Sequence, residues 1–209
     1  MSKPVSFAVF HGLKEYGGFT WIGDESGKRL KVPAPSARQV RRILVKTLNY
    51  GIWAADLQSA VDASLLGFLE RNGYEPEENK VLLAEGSGHA HTSFEPPIAD
   101  FFEIVAEVSL PDVWNGYFVG PEDVYAPERW PRKLRGPDGV ALEVSIFGGD
   151  GGGSHYALGP QGAIIIDNGS IVGGELVGSA RFVAASFDDF LELLLDNVQR
   201  LSSNEKPAF

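Results

Sequence analysis

From residue 186 onward the chain places an apolar side chain every three or four positions: Phe187, Phe190, Leu191, Leu194, Leu195, Val198 and Leu201. That spacing lines one face of an α-helix over about four turns, and such a face belongs in a core. Ser186 precedes the run as an N-cap, with Asp189 three positions on in the spacing of a capping box. A second amphipathic stretch, from about Ala54 to Asn72, turns Leu57, Val61, Leu65, Phe68 and Leu69 inward and meets a stop signal at Gly73. A third begins after Ser36, with Val40, Ile43, Leu44, Thr47 and Leu48 on one face and Arg38, Arg41, Arg42 and Lys46 on the other.

Elsewhere the pattern is that of short strands. SFAVF, GGFTWIG and KRLKV in the first part of the chain predict two or three of them, and VLLAEG reads as a strand or a helix end. IADFFEIVAEVS fits a helix or a strand by pattern, and helix then strand is the expected reading. LPDVWNGYFVGPEDV reads as a turn at Pro111, an aromatic stretch from Trp114 to Phe118, and a second turn at Gly120-Pro121. LEVSIF, HYALG, AIIID and SIVGGELV follow as four strand candidates, with Asn168-Gly169 as the hairpin signal because both central residues of a type I′ turn need positive φ. The expected fold is α+β: a largely antiparallel twisted sheet in the C-terminal half, packed by the C-terminal amphipathic helix and by N-terminal helices. Residues 1–90 form an extension or an elaborated first part of the same domain, 91–203 the α+β domain, and 204–209 a flexible tail.

Composition narrows the class. A hydrophobic fraction of 44% and a charged fraction of 22% over 209 residues are those of an ordinary globular protein. No apolar run approaches the ~20 residues that span a bilayer, and no secretory signal is evident, so the expected setting is the cytoplasm, away from membranes. The absence of cysteine excludes disulfides, thiolate metal sites and cysteine nucleophiles. The net charge of −10 is unevenly spread. Seven basic residues and no acid lie from Lys28 to Lys46, and eight acids and no base from Glu95 to Glu128. An acidic protein is a poor general nucleic-acid binder, whereas an acidic stretch suits a basic protein partner.

The stretch FGGDGGGSHYALG, Phe147 to Gly159, is the place to look for phosphate or oxyanion chemistry. It carries no GxxxxGK[ST] lysine and no GxGxxG leading into a helix, and no GxSxG elbow occurs in the chain, so it reads as a structural turn bordered by Asp150 and His155. His89 and His91, two apart with Glu95 nearby, are the metal-ligand candidates, since strand positions i and i+2 share a face. A third ligand is not fixed by the sequence, and no cofactor or metal is expected. The paired carboxylates Glu77-Glu78, Glu122-Asp123 and Asp188-Asp189 form no catalytic constellation, and the last pair suits helix capping.

The order of elements in FGGDGGGSHYAL, AIIIDNGSIVGGELV and RFVAASFDDFLELLLDNV resembles the C-terminal half of the SUKH superfamily. That superfamily includes bacterial toxin-immunity proteins and eukaryotic regulatory scaffolds. The resemblance covers roughly Pro97 to Leu201 and rests on the order of individually soft motifs. It implies a non-enzymatic protein-binding module, an immunity protein that neutralises a cognate toxin by direct binding. The acidic stretch adds the expectation that the toxin is basic, as many nucleases are. The expected contact residues are Asp100, Glu103, Glu122, Asp123 and Asp150, with Trp114 or Tyr117 as the apolar anchor. The alternatives are a metal-dependent enzyme using the His-x-His pair and a regulatory scaffold without a toxin partner.

Overall fold

The computed structural model describes residues 19–23, 29–33, 48–84, 94–120, 122–125, 130–135, 141–203 and 205–209, with 19–23, 29–33, 122, 123 and 168 described by their backbone alone. The predicted helix after Ser36, the SFAVF segment and the pair His89 and His91 lie outside the described residues. The chain divides into two compact units, Met1–Lys46 and Thr47–Phe209. In the first, β1 (Phe19–Gly23) pairs antiparallel with β2 (Arg29–Pro33).

The second unit opens with helix α1 (Tyr50–Leu65), capped by Asn49, whose Oδ1 accepts from the Ile52 amide at 3.1 Å. The helix expected from about 54 to 72 thus starts earlier and is broken once. Gly67, at φ +65°, interrupts it, the short α2 (Phe68–Asn72) follows, and Gly73 ends it in the left-handed conformation. Strand β3 (Lys80–Leu83) comes next, then α3 (Ile98–Phe102), β4 (Val105–Leu110), β5 (Tyr117–Val119) and the one-turn helix α4 (Glu122–Tyr125). The remaining strands are β6 (Lys133–Arg135), β7 (Ala141–Glu143), β8 (Ser145–Asp150), β9 (His155–Gly159), β10 (Gly162–Val172) and β11 (Glu175–Ala184). Helix α5 (Phe187–Ser202) closes the series, with the Ser186 hydroxyl accepting from the Asp189 amide at 3.0 Å, as the capping-box spacing requires.

The strands of this unit form one sheet in the order β3-β4-β5-β8-β9-β10-β11-β6-β7. Every pairing is antiparallel except β11 with β6. Only Val144 separates β7 from β8, and its amide donates to the Arg132 carbonyl at 2.8 Å, so the far edge of the sheet runs back into its middle. Strands β8, β9, β10, β11, β6 and β7 therefore curl into a ring. Inside the curl lies a small core of Leu134, Val144, Ile146, Ala157, Ile164, Ile166 and Leu176. The larger core lies on the opposite side of the sheet, where α1, α3 and α5 pack. The α+β architecture and the C-terminal helix across the sheet are thus as the hydrophobic pattern predicts.

Within the predicted stripe of α5, Phe187, Phe190, Leu191, Leu194 and Val198 are fully buried, and Leu195 and Leu201 pack at its margin. The Phe187 ring meets Phe147 edge-on at 4.9 Å and Phe101 at 5.4 Å, an arrangement that adds to simple area burial. Polar contacts join α1 to α5. Trp53 Nε1 donates to the Leu191 carbonyl at 2.9 Å, and the Asp188 carboxylate accepts from the Tyr50 hydroxyl at 2.8 Å and the Leu48 amide at 3.1 Å. These contacts tie Leu48, Tyr50 and Trp53 to the last helix, in the same compact unit as the large sheet.

Two sequence expectations are corrected. The β10–β11 hairpin turns at Gly173-Gly174, both at positive φ (+60° and +80°), while Asn168-Gly169 falls in a bulge between the pairs Asp167↔Ser179 and Ser170↔Val177. Two consecutive glycines meet the type I′ requirement with no Cβ penalty, and the longer strands this allows bring Leu176 into the inner core. Residues 205–209 are no flexible tail: Pro207 is buried and the Phe209 ring stacks on Phe190 at 5.8 Å. Among the described residues no helix is long and apolar enough to cross a membrane.

Leu194 has no exposed surface. Replacing it with Asp buries an unpaired charge and removes an apolar side chain, so it should lower the unfolding free energy by about 4 kcal/mol or more. Urea denaturation checks this, and an unchanged midpoint would mean that the face of α5 is misplaced.

Candidate functional site

The glycine-rich stretch and the turn before β5 form one structure. Tyr117 pairs with Asp150, Phe118 with Gly149 and Val119 with Gly148, so β5 lies directly against β8. A Cβ at Gly148 would collide with the Phe118 carbonyl oxygen, and one at Gly151 with that of Asn115. The backbones approach so closely that only glycine fits. The Gly151 amide donates to the Asn115 carbonyl at 2.8 Å, which ties the loop after β8 to the turn before β5. Asp150 fastens that loop from within, its Oδ1 accepting from the Gly152 and Ser154 amides at 2.9 and 2.8 Å. The stretch is a structural turn, and its glycines serve to seat a neighbouring loop.

That neighbouring loop carries Trp114. Its φ of +59° makes it the only non-glycine residue with positive φ among those described, and the residue is 47% exposed. A bulky residue in the left-handed region costs roughly 1–2 kcal/mol, and such strain persists where the surroundings fix it. Here they do: the Gly116 amide donates to the Val113 carbonyl at 3.0 Å on one side. On the other, the Asp112 carboxylate accepts from the Glu77 amide at 2.6 Å and Asn79 Nδ2 at 2.8 Å. The turn thus holds a large aromatic ring out of the core on a braced backbone.

The other expected contact residues divide between two places. Asp150 sits beside the Trp114 turn, though one oxygen of its carboxylate is taken up by the loop. Asp100 and Glu103 are exposed on and just after α3, at the opposite end of β4. The backbone of Glu122 and Asp123 lies at that same end, since Gly120, which leads into α4, abuts the Phe102 ring and the Ala106 carbonyl. The two groups are separated by about one strand length, on the order of 17 Å. Tyr117 is corrected as an anchor. It is 1% exposed on the core side of β5, and its hydroxyl donates to the Phe209 carbonyl at 3.2 Å, so it presents nothing to a partner. Burial, with the charge of Asp150 in addition, raises its pKa.

His155 lies on the ring side of the sheet, its imidazole edge-on to Trp130 at 4.8 Å, with Tyr125 stacked on Trp130 at 6.1 Å. Desolvation lowers its pKa and the charge of Asp150 opposes the shift in part. Sequence reasoning named these residues without bringing them together, because they come from α4, the segment before β6, and β9. No group of three or more His, Asp or Glu stands where it could hold a metal among the described residues.

Charge follows the division into units. Residues 1–46 carry nine Lys and Arg against three Asp and Glu, a net +6, while 47–209 carry nine against twenty-five, a net −16. The field around Trp114 therefore belongs to a strongly acidic body. No protein-family model, no curated protein and no solved structure matches this chain.

Two expected outcomes test this geometry. Trp114→Gly and Trp114→Ala remove the same ring but only Ala retains the penalty of positive φ, so the Gly variant should be more stable by about 1 kcal/mol in urea denaturation. The reverse order would contradict a left-handed Trp114. For His155, a folded pKa below the ordinary value means that the unfolded chain takes up the proton more readily. The stabilising contribution is complete above pH ~6.5 and is lost as pH falls below that value. Wild-type stability should thus drop more between pH 7 and 5 than that of His155→Gln, and parallel profiles would refute the shift.

Proposed function

We propose that the chain is a non-enzymatic protein-binding module, and specifically an immunity protein that neutralises a cognate basic toxin by direct binding. The observation that carries the binding role is Trp114, an exposed aromatic held at strained backbone on a turn braced from both sides. Tryptophan is enriched among the residues that dominate interface energies, and a rigid anchor loses little entropy on binding. The excess of carboxylates on residues 47–209 supports a basic partner, because opposite fields speed encounter and suppress wrong partners. The toxin-immunity part rests on the resemblance of residues 97–201 to the SUKH superfamily.

In this scheme the acids at the α3 and α4 end steer a positively charged surface inward, and Trp114 beside Asp150 holds it. The separation of about one strand fits within a standard interface of ~800 Å² per partner. Direct binding then blocks the toxin sterically and needs no group of this chain to do chemistry.

The test is the double substitution Glu122→Lys and Asp123→Lys. It should lower the association rate with the cognate toxin at least tenfold at low salt and weaken protection in a toxin challenge, with circular dichroism unchanged. Added salt should slow the wild type more than the variant, since screening removes a field that the variant already lacks. Full protection with a salt-insensitive on-rate in both would refute the steering surface.

A further inference from the structure

Three acceptor atoms face one point beside β8. Gly149 stands opposite His155 in the β8–β9 register and brings no side chain of its own. The place its Cβ would take lies 2.7 Å from the Ser154 carbonyl oxygen, 3.6 Å from Tyr125 Oη and 3.8 Å from His155 Nδ1. The three groups reach it from different elements: the loop after β8, α4 and β9. A side chain at 149 would collide with the carbonyl and fill the space between the other two.

Two of the three atoms are unused. Neither Tyr125 Oη nor His155 Nδ1 has a hydrogen-bond partner among the described residues, and neither is sealed from water. The Ser154 carbonyl accepts from the Asp150 amide at 3.0 Å and keeps its second lone pair. Trp130 forms the wall, stacked on Tyr125 and edge-on to His155. Its indole N–H, the one obligate donor of the cluster, is spent on the Val124 carbonyl at 2.9 Å. Burial keeps the imidazole neutral at pH 7, and the charge that acts on it is that of Asp150. With the ring proton on Nε2, Nδ1 accepts. Acceptors, aromatic faces and a nearby carboxylate together suit a cation that donates hydrogen bonds, and they disfavour an anion.

We propose that this point binds the ammonium group of a lysine side chain presented by a partner protein. Its three N–H groups meet three acceptors gathered around one position, an arrangement that the planar fork of a guanidinium does not match. The loop that supplies the Ser154 carbonyl also seats the Trp114 turn, through the Gly151 amide on the Asn115 carbonyl, so the site and the aromatic anchor share one support. The inference deepens the reading of a basic partner and rests on it for the source of the lysine. Trp114 then supplies apolar contact, and the site takes one specific charge.

The test is an NMR titration of the 15N-labelled full chain with acetyl-Gly-Lys-Gly-amide, read at the Trp130 indole N–H and the His155 ring nitrogens. Saturable shifts confined to this cluster are expected. Tyr125→Phe and His155→Phe keep the rings and each remove one acceptor, so each should weaken binding at least about tenfold. The same peptide with norleucine in place of lysine should give no shift. Shifts spread over the acidic surface and unchanged in both variants, an equal response to norleucine, or no saturable shift in the wild type would overturn the proposal. Tighter binding of n-butylammonium than of the peptide would assign the site to a free amine and would also overturn it. Should a variant fail to fold, the wild type decides: Nδ1 of His155 should move with the lysine peptide and stay with the norleucine one, and an unmoved Nδ1 overturns the site. No toxin enters this assay, so its failure leaves the steering surface of Glu122 and Asp123 standing, and failure of that surface leaves the lysine site standing.

Discussion

Two backbones that touch without side chains between them set the geometry of this protein. At Gly148 and Gly151, β8 and the loop after it come so close to Phe118 and Asn115 that a single methyl group would force them apart. That contact joins β3 to β5 to the strands that curl into a ring. It also supports the turn on which Trp114 stands, through the Gly151 to Asn115 hydrogen bond. On the other side of the same strand, Phe147 is packed between Phe187 and Phe190 of the last helix. Fold and candidate site thus share one strand. A change that loosens β8 disturbs core and surface together.

Electrostatics acts on a longer scale. An acidic body of net −16 adjoins in sequence a basic segment of net +6, so the overall −10 understates the field that a partner meets at residues 47–209. Excess like charge destabilises a compact state, and the buried aromatic cluster of α3, β8 and α5 offsets that repulsion where helices meet the sheet. Asp188 has a use within the fold, as acceptor for Tyr50 and for the chain entering α1, and it also lies in the first turn of α5, where the helix dipole favours a carboxylate.

What could be read in the sequence was whatever a local period determines. The stripe from Phe187 to Val198 and the Ser186 cap needed no tertiary information, and the structure buries the one and uses the other. The pattern of IADFFEIVAEVS admits helix or strand, and the structure has both: Ile98, Phe101 and Phe102 keep the i, i+3, i+4 spacing of a helix, and Val105, Val108 and Leu110 belong to a strand that is covered by helices. Choices between equivalent local signals were not legible. Asn168-Gly169 and Gly173-Gly174 both satisfy a type I′ turn, and only the pairing of Leu176 with Leu134 of β6 selects the second. Trp114 and Tyr117 are equally aromatic and three residues apart, but one lies on a turn and the other points into the core. Residues 205–209 carry too few positions to show a period, so their docking on Asn197 and Tyr117 left no trace in the pattern.

Amide hydrogen exchange at Gly151 tests most directly whether the glycine stretch is the seat of the Trp114 turn. This amide belongs to an exposed loop yet donates to Asn115 on a braced backbone. It should be protected at least a hundredfold over a free loop amide, to a level near that of the Gly120 amide, which donates to the Phe147 carbonyl at 3.0 Å. Exchange of Gly151 at the rate of an unstructured peptide, with Gly120 still protected, would contradict the account: the stretch would then be an open loop and Trp114 would stand on nothing rigid.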